Sequence, residues 1–130
     1  MDNDGMTVAQ SRNGYAETTR RLLEAIQRRG LMMFARIDHA EAAREAGLAL
    51  PEEEVFVFGN PKTGTPLMQD DPRIGIELPM RMLIWREGSA TMIGYDDPRH
   101  LADRYTVAEH AEILDQMSTV LATLASEAAG

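Results

Sequence analysis

The chain is 130 residues long, enough for one domain, and its 44% hydrophobic and 26% charged residues exclude a disordered chain. A formal charge of −8, with Lys62 as the only lysine and no basic cluster, argues against nucleic acid as a partner. The absence of cysteine excludes disulfides, thiolate metal sites and cysteine nucleophiles, and no apolar run approaches a membrane span. The start, Met1-Asp2-Asn3-Asp4-Gly5-Met6, has neither a basic nor an apolar leader region, so the expectation is a cytoplasmic protein without a secretory signal and without a membrane partner.

The first few residues are polar and read as frayed, and residues 6–9 read as a short edge strand before the turn residues Ser11, Asn13 and Gly14. Tyr15, Leu22, Leu23 and Ile26 share one helical face, with Arg20, Arg21, Glu24 and Arg28 opposite. Gly30 sits where a left-handed residue ends that helix. Residues 31–37 are too short and too uniformly apolar for another amphipathic helix and predict a buried strand. Asp38 caps the next helix, with Glu41 at capping-box spacing, a run of alanines making a slim rod, and Gly47 and Leu48 forming a Schellman end. Residues 54–58 predict a strand.

Residues 59–66 read as turn, with Thr65 as an N-cap and Pro66 opening one or two helical turns as far as residue 70. Residues 80–86 and 90–95 flank Glu87, Gly88 and Ser89 as an antiparallel hairpin. Asp97 and Pro98 open a short helix to about residue 103. Thr106 and Glu109 make a second capping box for a helix over about 107–125, with Val107, Ala111, Leu114, Met117, Leu121 and Leu124 as its apolar stripe. The order strand–helix–strand–helix–strand–hairpin–helix predicts one α+β domain over residues 1–130, an antiparallel sheet covered by helices on one face.

Ile37-Asp38-His39, Gly59-Asn60-Pro61-Lys62, Gly64-Thr65-Pro66-Leu67-Met68, Leu78-Pro79 and Tyr95 together resemble the DUF302 family (domain of unknown function 302), over about residues 15–105. The resemblance implies a TATA-binding-protein-like α+β fold, a curved antiparallel sheet gripping a long helix, and a homodimer. It implies no reaction and no cofactor. The helix after Thr106 lies largely outside the motif region.

Several residues carry chemistry. Asp38 at an N-cap accepts backbone N–H bonds and stays ionised, while the helix dipole opposes protonation of His39. A neutral His39 serves as a hydrogen-bonding partner, a general base or a metal ligand, or it merely packs. A helix starting at Pro66 would present free N–H groups near Leu67 and Met68, with Lys62 beside them, as a carboxylate or phosphate site. The structural alternative is a rigid turn with Lys62 paired to Asp70 or Asp71. The Tyr95 hydroxyl either enters a pocket or bonds the next turn. His39, His100 and His110 match no standard metal spacing, so no metal is expected. Among nine methionines, Met80 falls in a strand and Met68 and Met117 in helices, where they fill the core or line an adaptable apolar cavity under the sheet.

The leading expectation is a module that binds a small anionic or amphipathic ligand where Asp38, His39, Asn60, Lys62, Thr65 and Tyr95 meet in one hollow. A second is an enzyme with His39 as general base beside Asp38. A third is a structural or interaction module with no ligand.

Overall fold

Alternation along the central strands builds the core. In β3, Glu53–Gly59, the side chains of Phe56 and Phe58 are fully buried while those of Val55 and Val57 are half-buried. β4, Met80–Glu87, repeats the pattern, burying Met80, Met82 and Ile84 and turning Arg81, Leu83 and Trp85 the other way. The structure is a computed structural model describing residues 6–130, and the polar start read as frayed lies outside them. With β1 (Met6–Gln10), β2 (Met32–Asp38) and β5 (Ala90–Asp96), the strands form one antiparallel sheet in the order β1-β5-β4-β3-β2.

Helices α1 (Tyr15–Arg28) and α4 (Ala111–Ala129) pack on each other and on one face of this sheet. Their core includes Leu22, Ile26, Phe56, Phe58, Met82, Ile84, Leu114, Leu121 and Leu124. α1 ends as expected, with Gly30 at φ 68° and Leu31 N–H closing on the Ile26 carbonyl at 3.2 Å. α2 (His39–Glu45) is capped by the Asp38 carboxylate, which accepts from Glu41 N–H at 2.9 Å. The Glu41 side chain pairs with Arg44, so only half of the capping box forms. Glu87 pairs with Ala90 across the expected hairpin, and Gly88 supplies its left-handed turn at φ 61°.

Four expectations are corrected. β2 is a strand but not a buried one: it lies at the sheet edge, with Phe34 48% and Ile37 46% exposed. α3 spans Pro61–Asp70, so the helix begins five residues before Pro66. Asn60 rather than Thr65 is its N-cap, accepting from Lys62 N–H at 2.9 Å, and Pro61 occupies the first helical position. Pro66 then sits inside the helix. Thr106 caps nothing: the helical segments that follow have Val107 and His110 at their N-caps with no side-chain cap bond, and the Thr106 N–H donates to the buried Asp71 carboxylate at 2.9 Å. The chain instead takes a 3-10 turn over Ala108–His110 before α4, which leaves Ala111 exposed.

Among the described residues, α1 and α4 leave the opposite face of the sheet uncovered, with Val55, Val57, Leu83 and Trp85 only half-buried. A row of paired residues crosses all five strands there, Val8, Gly94, Leu83, Val55 and Ile37. Gly94 lets the Trp85 ring lie on this floor, since a methyl on Gly94 would come within 3.0 Å of the indole. The 3-10 segments Pro72–Ile76 and Pro98–Asp103 flank the sheet where β4 begins and β5 ends.

Candidate functional site

The six expected site residues do not share one hollow. Asp38 pairs with Glu54 at one end of β3, whereas Asn60 follows Gly59 at the other. Extended strand rises about 3.4 Å per residue, so Glu54 to Gly59 alone separates the two groups by about 17 Å. His39 and Tyr95 line a groove that reaches from Val55 and Leu83 on the open sheet face to Met117 and Leu121 of α4, with Tyr95 itself buried in the core. Asn60 and Thr65 line a second hollow behind α3. Asp38 and Lys62 line neither. The two hollows adjoin at Leu78, Met80 and Met117.

The groove encloses about 580 Å³. Its floor is apolar at Ile37, Val55, Val57 and Leu83, and four of its charged lining residues, Glu77, Arg81, Asp97 and Arg104, are paired. Glu77 takes Arg104 at 3.0 Å, Arg81 at 3.8 Å and the Tyr105 hydroxyl, which donates at 2.8 Å. That bond to a carboxylate raises the Tyr105 pKa above the usual phenol value. Asp97, at the opening of the second 3-10 segment, is held at about 2 by its hydrogen bonds to Arg99. At the far end His39 is exposed. The Asp38 carboxylate accepts from the α2 backbone, and among the described residues no hydrogen bond joins it to His39.

The hollow behind α3 is smaller, about 210 Å³, and chemically different. Phe34, Met68, Leu78, Met80 and Met117 give it apolar walls, and Gly59, Gly64 and Gly75 leave those walls without side chains. None of its lining residues is titratable. Polar groups come only from its rim, at Asn60, Thr63 and Thr65. The Asn60 side-chain oxygen is used in capping α3.

The wall is firmly held. Leu67 of α3 is fully buried, and His110 Nδ1 meets Asp70 Oδ2 at 2.5 Å, which raises the histidine pKa. Asp71 accepts from Arg73 Nη2 at 2.9 Å and from Thr106 N–H, and its carboxyl lies well below the ordinary range, first through Arg73. The acids expected to pair with Lys62 are therefore engaged by His110 and Arg73.

The early start of α3 removes the expected anion site. Leu67 and Met68 lie inside the helix, and at its true N-terminus Lys62 N–H goes to the Asn60 side chain while Thr63 N–H and Gly64 N–H close on the Asn60 carbonyl. Sequence reasoning also missed Phe34, Gly64, Gly75 and Leu78. The available signal was Gly64, a glycine in a segment that Asn60 and Pro61 mark as a helix start. Among the described residues no three histidine or acidic side chains converge as a metal site.

The model of the domain of unknown function DUF302 matches residues 6–124. The chain belongs to the DUF302 family. A crystal structure of an uncharacterised conserved DUF302 protein from Bacillus stearothermophilus superposes with a TM-score of 0.86 at 21% identity, covering 95% of this chain and 98% of that one. That likeness shows the DUF302 fold. Two curated proteins, each named fluoride-specific ion channel FluC 1, come from Brucella suis biovar 1 (strain 1330) and Brucella abortus biovar 1 (strain 9-941). Each is 38% identical over 130 residues, covering 98% of this chain. This DUF302 chain spans about half of those relatives, 51% and 48% of their lengths. No helix among its described residues is long and apolar enough to cross a membrane.

Proposed function

We propose that the chain is a binding module for a small neutral ligand, held in the hollow behind α3. Gly64 carries this reading. A glycine within a helix costs roughly 0.5–1 kcal/mol relative to alanine. Gly64 does not have the left-handed backbone that would justify it, and a methyl there would meet only Leu78 Cδ1, at ordinary contact distance, 3.5 Å. Backbone conformation and crowding leave the glycine unexplained, whereas open space in the hollow explains it.

Neutrality follows from the lining. A charged ligand would be desolvated with no titratable partner beside it, a cost that apolar contacts of this extent do not offset. The anionic option weighed from the sequence is therefore set aside, and the amphipathic one is kept with its polar end toward the Asn60 amide. The test is Gly64→Ala, screened beside wild type with small neutral compounds by thermal shift. The variant is expected to be more stable by roughly 0.5–1 kcal/mol yet unresponsive to compounds that stabilise wild type. A variant that binds as wild type does, or a wild type that no compound stabilises, overturns the reading.

The uncovered row on the open sheet face supports a homodimer, in which a second copy covers Val55, Leu83 and Ile37. The cysteine-free, acidic composition suits a cytoplasmic setting. The curated relatives favour a second reading, in which this module acts beside a fluoride channel as an accessory part. Deleting it is then expected to change the fluoride tolerance of cells that carry the channel, and unchanged tolerance contradicts that role.

A further inference from the structure

We infer that the ligand of this hollow is a neutral aromatic molecule of one or two rings, an inference that rests on the α3 hollow being a binding site. Size is the first ground. An engineered apolar cavity of about 150 Å³ accepts benzene, so about 210 Å³ suits a single substituted ring or a compact bicycle such as indole.

The walls supply the second ground. Three thioethers, from Met68 on α3, Met80 on β4 and Met117 on α4, line one small space with the ring of Phe34. Thioether sulfur makes favourable contacts with the edges of aromatic rings, and Phe34 offers an offset or edge-on partner. Glycine lets these groups sit close to the backbone. The Met68 sulfur lies 3.3 Å from where a Gly75 Cβ would stand, and Phe34 Cε2 lies 4.0 Å from the same position on Gly59. A side chain at Gly75 would push on the Met68 sulfur, whereas one at Gly59 would sit in ordinary contact with the Phe34 ring. The third ground is polarity: Asn60 lines the hollow with its oxygen engaged by Lys62 N–H, which leaves its amide N–H groups to serve one acceptor on the ligand. No lining group favours a charge on the ring.

The experiment compares indole with cyclohexanol, a neutral probe without an aromatic ring, by calorimetric titration of wild type, Met68→Leu and Met80→Leu. Leucine nearly conserves volume while removing the thioether, and the cyclohexanol arm reports any effect of its branched shape. Wild type is expected to bind indole at least tenfold more tightly than cyclohexanol. Each leucine variant loses severalfold in indole affinity and leaves cyclohexanol binding unchanged. If cyclohexanol binds as well as indole, or the leucine variants weaken both probes equally, the hollow remains a binding site and the aromatic preference is wrong. If neither probe binds wild type, the aromatic inference and the binding reading fall together.

Discussion

Phe56 and Val55 are neighbours on β3 and face opposite sides of the sheet. Phe56 has no exposed surface and sits in the single cluster formed with α1 and α4. Val55 is half-buried on the floor of an open groove. One face of the sheet therefore holds the molecule together, while the other face and the rim beside α3 carry its hollows. Exposed or half-buried lining residues such as Val55 and Met68 can be altered with less penalty to the fold than Met80, Met117 or Leu121, which line a hollow and are buried in the core. Binding can therefore be tested apart from folding at the former positions.

The largest expected effect is on the covered face. Phe56→Ala lowers unfolding free energy by about 3–5 kcal/mol, through lost transfer energy and the cavity left behind. Val55→Ala removes half-exposed surface and lowers it by about 1 kcal/mol or less in the monomer. Urea denaturation at several protein concentrations measures both. A Val55→Ala loss that grows with concentration identifies the open face as the contact between two copies. A loss equal to that of Phe56→Ala at the lowest concentration erases the distinction between the faces.

A smaller effect concerns the connecting segments that flank the open side. Asp71 and Asp97 cap the two 3-10 segments, and both carboxyls titrate below their ordinary value of 3.8 in the folded chain. A lowered folded pKa contributes stability that is complete above the unfolded value and is lost as pH falls, for Asp97 through about 2. Acid is thus expected to loosen these segments before the helix-covered core. In the double variant Asp71→Asn and Asp97→Asn, the acid fall in urea midpoint below about pH 4 is shallower than in wild type. Equal slopes would show that these caps do not govern the acid response.

Strand and helix identities were legible wherever local pattern and burial agreed. The hairpin through Gly88, the left-handed helix end at Gly30, the Schellman end at Gly47 and Leu48 and the Asp38 cap rest on local chemistry that the structure keeps. Failures came where a distant partner took a group the local pattern had assigned. The Thr106 N–H goes to Asp71, 35 residues away, and the predicted capping box is lost. The burial of β2 was illegible because strand order decides which apolar strand lies at an edge. The polar motif residues are close to the chain's turns, yet antiparallel pairing sends Asp38 and Asn60 to opposite ends of β3. The hollow itself was half legible: a methionine-lined cavity was expected, but its unlined walls at Gly64 and Gly75 need the fold to be seen.

Methyl resonances of methionine separate the two hollows, because Met68 lines only the one behind α3 and Met6 only the groove. Indole titrated into wild type is expected to move the Met68 methyl signal and leave Met6 still, and Gly64→Ala should abolish the Met68 response while folding remains intact. A shift at Met6 without one at Met68, or an undiminished Met68 response in Gly64→Ala, would contradict the account.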